Sequence, residues 1–174
     1  MKRFIGPAIL ISLITLVSQN TQAQNIKFGH INSDELIQSM PEFDSANVKL
    51  EKFRKDLVNA LELMSVELNN KSDAYNKESK NLTDIVKQTK EQELVDMNRR
   101  IQEFQSTAQQ QLQTKQAELF QPIMAKVDKA IKEVGKENGY VYIFSIGQGS
   151  SILYYDETKS TDIMTLAKTK LGLK

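Results

Sequence analysis

A long apolar seam with helical spacing dominates the sequence between residues 43 and 134. Helix-forming residues fill this stretch, and Pro122 is its only proline. Its apolar positions step mostly by three, four or seven residues, which favours the narrow seam of a coiled coil over the wider apolar face of a globular helix. They are Leu50, Phe53, Leu57, Leu61, Met64, Leu68, Tyr75 and Leu82, then Leu94, Met97, Ile101, Phe104, Ala108, Leu112, Leu119, Ile123, Val127, Ile131 and Val134.

A helical hairpin buries this seam better than one straight helix does. A single helix of about 95 residues would be about 140 Å long and would leave the seam uncovered. Near the middle, residues 81–84 supply turn and capping side chains, and Thr89 with Gln92 forms a second candidate capping box. We therefore predict an antiparallel hairpin over residues 43–134, with its tip within residues 80–90 and a kink at Pro122.

Short elements flank the hairpin on both sides and predict an α+β fold. Alternating apolar residues and turn residues mark the strands, and capping residues mark the helices. In chain order we predict a strand over 26–31, a short helix capped by Asn32 and ended by Pro41, the hairpin closed by Gly139, a strand over 140–146, a turn over 147–151, a returning strand over 152–156 and a helix opening at residues 160–162. Residues 24–42 and 135–174 would together form a β-base for the arm.

The strand over 140–146 is apolar on both faces. Alternation places Tyr140, Tyr142, Phe144 and Ile146 on one face. The terminal helices can cover one face only, and a three-stranded sheet also leaves open edges. We therefore predict a homo-oligomer held together at the base. The candidate interface residues are Ile26, Phe28, Tyr142, Phe144 and Ile146.

The first 23 residues have the layout of a secretory signal peptide. Lys2 and Arg3 precede an apolar run, and small residues precede a cleavage site near Ala23. A membrane anchor is the alternative, but the run of about 14 residues is shorter than the roughly 20 that span a bilayer. Cleavage would leave 21 basic residues against 22 acidic ones. This balance argues against a nucleic-acid partner and against contact with an anionic membrane surface.

The sequence offers no constellation for catalysis or cofactor binding. The chain has no cysteine, which fits an exported protein folding without disulfides and excludes a lipid anchor on cysteine. His30 is the only histidine, and its place in a strand indicates a structural role. The glycines over 147–149 lie between two predicted strands without a lysine, so they indicate a turn rather than a phosphate loop. We predict that the protein is not an enzyme and has no catalytic, cofactor-binding or metal-binding residues.

The arrangement of the whole chain resembles the Skp/OmpH family of periplasmic chaperones. The resemblance is carried by KFGHINSDELIQSM at residues 27–40, by IQEFQ at 101–105 and by residues 138–156. It implies a homotrimer with a β-barrel body and three helical arms around a cavity. It also implies a periplasmic holdase that binds unfolded outer-membrane β-barrel proteins without ATP. Known members are strongly basic, whereas this mature chain is nearly neutral, so contact with lipopolysaccharide or membrane is not expected.

Soft and aromatic side chains of the arms are candidates for contacting such clients, although the same side chains also suit the seam. The candidates are Met64, Tyr75, Leu82, Met97 and Phe104. The alternative hypothesis is a periplasmic coiled-coil structural or adaptor protein that binds one defined partner at the arm tip, residues 82–89. Changes at the tip would abolish binding by an adaptor, whereas changes at inward apolar positions would weaken a holdase.

Overall fold

The computed structural model describes residues 26–173 as four α-helices and three short strands. In chain order these are β1 (Lys27–Ile31), α1 (Ser33–Gln38), α2 (Pro41–Glu78), α3 (Asp84–Asn138), β2 (Tyr140–Ser145), β3 (Ser160–Asp162) and α4 (Met164–Leu171). The predicted signal peptide over residues 1–23 lies outside the described residues. Long helices and a small three-stranded sheet confirm the α+β class.

The helices α2 and α3 form an antiparallel hairpin. Pro41 occupies the first position of α2, where its missing N–H costs no hydrogen bond. A single turn of 3₁₀ helix over Ser79–Asn81 joins the two helices, and Thr83 precedes α3. The tip therefore lies over residues 79–83, which overlaps the start of the predicted range of 80–90. Thr89 begins no helix, because it lies inside α3 and donates its hydroxyl to the Ile85 carbonyl at 2.9 Å.

Contacts between the helices fix their register. The rings of Phe43 and Phe120 meet with centroids 5.5 Å apart, and Lys126 Nζ donates to Glu42 Oε1 at 2.5 Å. α2 has 38 residues and α3 has 55, so α3 continues well beyond the start of α2. Its last third enters the base. α3 runs without interruption through Pro122, which is exposed, and the kink there stays a prediction.

The core of the base forms around the last third of α3. Buried residues recur there every three or four positions, which presents one stripe of the helix to the sheet and to the short helices. Gly139 ends α3, as predicted, and with a φ of 69° it has the left-handed conformation that glycine adopts readily. The buried core consists of Ile31, Leu36, Met40, Ala46, Ile123, Val127, Val134, Ile163 and Ala167.

The sheet has the order β2-β1-β3, and both pairs of strands are parallel. The predicted returning strand over 152–156 is therefore wrong: that segment has no regular structure, and the third strand is Ser160–Asp162. Residues 146–159 instead connect β2 to β3. Because both strands run parallel to β1, this connection has to cross from one end of the sheet to the other, and we call it the crossover. The last helix also begins later than predicted, at Met164, whose N–H donates to Asp162 Oδ1 at 2.8 Å.

A β-bulge in β2 changes which residues share a face. Lys27 pairs with Tyr140, but Phe28 pairs with Tyr142, so Val141 is an extra residue on β2. Tyr140 therefore packs against the base core together with Ile143, and not beside Tyr142 as strict alternation predicted. The bulge leaves Tyr142 and Phe144 on the opposite face.

Gly29 lies at the closest approach between β1 and the core. A Cβ at this position would be 3.2 Å from Ile143 Cγ1, 3.2 Å from Ile163 Cγ2 and 3.3 Å from Tyr140 Cδ1. These distances are shorter than ordinary van der Waals contacts, and both β2 and the residue before α4 would have to move.

Replacing Gly29 tests this packing. We expect Gly29→Ala to lower the free energy of unfolding by about 1–3 kcal/mol through overpacking, and Gly29→Val to lower it further. Urea unfolding at fixed protein concentration measures the change. Ser145→Ala, at an exposed position of β2, is the control, and we expect it to stay within about 0.5 kcal/mol of the parent. Equal stability of Gly29→Ala and Ser145→Ala would contradict the packing described.

Candidate assembly and client-binding surfaces

Three aromatic rings form an array on the face of the sheet that the base core does not cover. Phe28 of β1 stacks with Tyr142 and Phe144 of β2, with centroids 6.2 and 6.3 Å apart, and those two rings are 6.0 Å apart. None of the three belongs to the buried core, and Tyr142 is 59% exposed. Contiguous exposed apolar surface of this kind is typical of a protein–protein interface.

The other two predicted interface residues lie at opposite ends of this array. Ile26 precedes β1 and is 55% exposed. Ile146 follows β2, is half-buried, and donates its N–H to the Ile31 carbonyl at 2.9 Å. The structure therefore groups three of the five residues and places the remaining two beside them. Their role in an oligomer stays a prediction.

The crossover carries exposed apolar residues that the sequence analysis did not propose for an interface. Leu153 is 99% exposed and Tyr154 is 83% exposed, in a segment without regular structure. Their β-forming sequence could have indicated them, because such residues need a surface to pack against. β2 is also an edge strand, since among residues 26–173 it pairs with β1 alone. An open edge and an exposed apolar segment thus lie on the same base.

His30 links β1 to β3 and to the crossover. It is buried, its Nδ1 lies 2.9 Å from Ser160 Oγ of β3, and its ring centroid lies 4.5 Å from that of Tyr155 in the crossover. These contacts hold the crossover against β1. The side chain therefore has the structural role that the sequence indicated.

The predicted client-contacting residues are distributed along the arm and form no common pocket. Met97 is buried, so it contacts a client only if the helices separate. Met64, Tyr75, Leu82 and Phe104 are half-buried, with part of each side chain open to solvent. Contact with a client stays a prediction for all five.

Polar contacts between the helices fix the outer part of the arm. Lys71 of α2 donates to Glu93 of α3, and the Tyr75 hydroxyl donates to Glu91. Closer to the tip, Lys90 Nζ lies 3.4 Å from Glu78 Oε2. These contacts are open to solvent, so each contributes little stability, but together they set the register of the two helices.

The same contacts shift the protonation of their members. The hydrogen bond from Lys71 lowers the pKa of Glu93 below its ordinary value of 4.5. The same bond raises the pKa of Lys71, and the hydrogen bond to Glu91 raises the pKa of Tyr75. Both ions of the Lys71–Glu93 pair are therefore favoured near neutral pH.

No helix within residues 26–173 is long and apolar enough to cross a membrane. Nor does this part of the chain bring three His, Cys, Asp or Glu side chains together as metal ligands.

Comparison with known proteins finds one family. The sequence model described as "Outer membrane protein (OmpH-like)" matches residues 27–171, which include the whole hairpin, all three strands and the terminal helix. A search of curated proteins finds no match. The family match bears out the resemblance drawn from residues 27–40, 101–105 and 138–156.

The cross-helix contact at Lys71 generates a pH prediction. A lowered carboxyl pKa means that the contact stabilises the hairpin above the unfolded value, near 4.5, and that this contribution is lost as pH falls through the lower folded pKa. We expect Lys71→Met to raise the pKa of Glu93 toward 4.5, as measured by NMR titration of its side-chain carbonyl carbon. Lys77→Met, on the same helix and without an ion-pair partner among the described residues, should leave it unchanged. An unchanged pKa of Glu93 in the Lys71→Met variant would show that the contact is absent in solution.

Proposed function

The chain belongs to the OmpH-like family, and on this premise we propose that it is an ATP-independent holdase that binds unfolded outer-membrane β-barrel proteins and prevents their aggregation. The family is one of periplasmic chaperones of the Skp/OmpH type rather than of enzymes. The observation that carries the proposal is the shape of the chain: a long two-helix arm projects from a small base that retains an uncovered aromatic face.

The arm surface suits many weak contacts rather than one specific contact. Most of its exposed side chains are polar, and single exposed apolar residues are scattered among them. The most exposed of these are Val48, Leu63, Ile85 and Val95. A strand of a membrane β-barrel alternates apolar and polar residues, so an unfolded barrel chain can match such a mixed surface in many registers. Binding of this kind holds a client without imposing a structure on it.

A trimer would bury the apolar surface and the open strand edge that the base exposes. We propose that the sheets of three copies close into one barrel, with Phe28, Tyr142 and Phe144 in its interior. Closure would cover the aromatic array and remove the open edge of β2. The exposed segment of Leu153 and Tyr154 would gain a partner in a neighbouring copy. Three arms on one body would then surround a shared space for the client.

The proposed location is the periplasm, which the family supports. Export would depend on the predicted signal peptide over residues 1–23, which lies outside the described residues. The near balance of basic and acidic residues supports protein clients over nucleic acid, and it gives no basis for holding an anionic membrane surface.

A structural or adaptor protein is the second candidate, and the exposed tip favours it. Ile85 is 79% exposed in the first turn of α3, beside the half-buried Leu82. A specific partner would make this position essential. A holdase would not, because its contacts are spread along the arm. Ile85→Ser therefore separates the two functions.

Suppression of aggregation tests the holdase directly. We expect equimolar assembled protein, without ATP, to suppress the light scattering that follows dilution of a urea-unfolded outer-membrane β-barrel protein. Ile85→Ser should suppress it equally well, because one tip residue contributes little to dispersed contacts. Undiminished scattering with the parent protein would contradict the holdase. Loss of suppression with Ile85→Ser alone would instead support a specific site at the tip.

Assembly through the aromatic array has its own test. We expect Phe144→Asp to convert the trimer into monomers, because the interface would then bury an unpaired charge. Light scattering coupled to size-exclusion chromatography measures the mass. Ser145→Asp introduces the same charge at the next, exposed position of β2 and should remain trimeric. A trimer of unchanged mass for Phe144→Asp would show that the copies associate elsewhere.

A further inference from the structure

One stretch of α3 carries no charge on any exposed side. From Phe104 to Thr114 the sequence contains no acidic or basic residue, although Glu103 and Lys115 flank it directly. The stretch covers about 16 Å of the arm. We call its exposed polar residues the amide band. They are Gln105, Ser106, Thr107, Gln109, Gln110, Gln111, Gln113 and Thr114.

The band differs from the rest of α3. On either side of it, charged side chains pair along the helix, as Arg99 does with Glu103 at 2.9 Å and Lys115 with Glu118 at 2.8 Å. Within residues 26–173 no side chain of the amide band makes a hydrogen bond or an ion pair. Eight neighbouring polar side chains are therefore free to bind groups from outside the chain.

The opposite helix shows that this neutrality is specific to α3. The contacts of Phe43 with Phe120 and of Lys71 with Glu93 place the amide band beside roughly residues 50–60 of α2. The exposed residues there include Glu51, Lys52, Arg54, Lys55 and Asp56. One side of the arm is thus an ordinary charged surface, while the other side at the same level is neutral.

An apolar groove lies next to the band. It has a volume of about 430 Å³, and Phe53 of α2 lines it together with Gln110, Gln111 and Thr114. Lys115 and Glu118 lie at the same groove. Phe53 is half-buried, so part of its ring is open to a ligand. The groove therefore combines an aromatic surface with amide groups that have no partner among residues 26–173.

We infer that the amide band and the Phe53 groove bind an extended, uncharged segment of unfolded polypeptide. A glutamine side chain both donates and accepts hydrogen bonds, so a row of them can satisfy backbone N–H and C=O groups that have lost their sheet partners. The groove takes an apolar side chain of the segment. Because the band is neutral, the segment desolvates no ion along it, and the one ion pair at the groove, Lys115 with Glu118, lies at the end of the band. This inference rests on the proposed holdase function and names the part of the arm that performs it.

A pair of isosteric charge substitutions tests the band. Gln109→Glu with Gln113→Glu adds two charges inside it, while Gln88→Glu with Gln92→Glu adds the same two charges, also four residues apart and exposed, nearer the tip of α3. The probe is a fluorescently labelled, urea-unfolded outer-membrane β-barrel protein diluted into buffer, with binding followed by anisotropy. We expect the band pair to raise Kd by about three- to tenfold, since each lost hydrogen bond is worth roughly a factor of two to ten. The control pair should change Kd by less than about twofold.

The titration distinguishes failure of the amide band from failure of the proposed function. Equal weakening by both pairs would overturn the amide band while leaving the holdase intact, because the effect would then be general electrostatics. No binding by the parent protein would overturn the proposed function and the band together. Circular dichroism checks that both double variants keep the helix content of the parent.

A labelling experiment keeps the inference testable if the double variant loses helix. The chain has no cysteine, so Gln110→Cys and Gln88→Cys each provide a unique site for an environment-sensitive fluorophore. We expect the unfolded barrel protein to shift the emission of the label at position 110 to shorter wavelength and to leave the label at position 88 nearly unchanged. The same shift at both positions, or none at position 110, would overturn the inference.

Discussion

The arm and the base depend on one another because a single helix belongs to both. The last third of α3 buries Ile123, Val127, Ala130 and Val134, while the earlier part of the same helix pairs with α2. No linker separates the two regions. The direction of the arm is therefore set by how this buried stripe packs on the sheet and on α1 and α4. A change in the packing of the base core would change the direction of the whole arm, since α3 continues from one region into the other without a break.

Within residues 26–173 one face of the sheet stays uncovered. Three parallel strands need cover on both faces, and the helices pack on the face that carries Ile31 and Ile143. On the other face lie Phe28, Tyr142 and Phe144, brought together by the bulge at Val141. Without the bulge, Tyr140 would join the array and the core would lose one of its packing partners. One inserted residue thus serves both the core and the open surface.

Periodicity predicted the arm well because its seam is a local property of the sequence. Apolar residues at a spacing of three or four form one stripe on each helix, so the hairpin follows from the pattern that begins at Leu50, although the end of that pattern, from Ile123 to Val134, packs in the base. The tip was harder to place, since capping residues occur at Thr83 and again at Thr89, and only the register between the helices selects the first. The same pattern did not distinguish Met97, which is buried, from Phe104, which is half-buried.

The base was predicted less well, because strand partners are a non-local property. The sequence ILYYD at residues 152–156 has strong β propensity, yet Leu153 and Tyr154 stay exposed among the described residues. The actual third strand, Ser160–Asp162, is short and polar. It pairs because His30 and Ser160 meet and because the Ile163 N–H reaches the His30 carbonyl at 3.0 Å. β propensity predicts neither contact. The alternation of apolar and polar residues does not predict the bulge at Val141 either.

A holdase without an energy source has to bind clients reversibly, and the charge distribution of the arm fits that requirement. The ion pairs between its two helices are exposed and individually weak, and they lie near the tip and at the level of Glu42 and Lys126. Between them lies the neutral stretch of α3, where contacts with a client would be hydrogen bonds and small apolar contacts. A charged surface in that place would hold acidic or basic segments more tightly and would favour particular sequences. A neutral one accepts many sequences with similar affinity, because a backbone N–H or C=O is the same group in every segment. Selectivity for unfolded chains then follows from the backbone itself, since a folded barrel has already paired these groups within its own sheet.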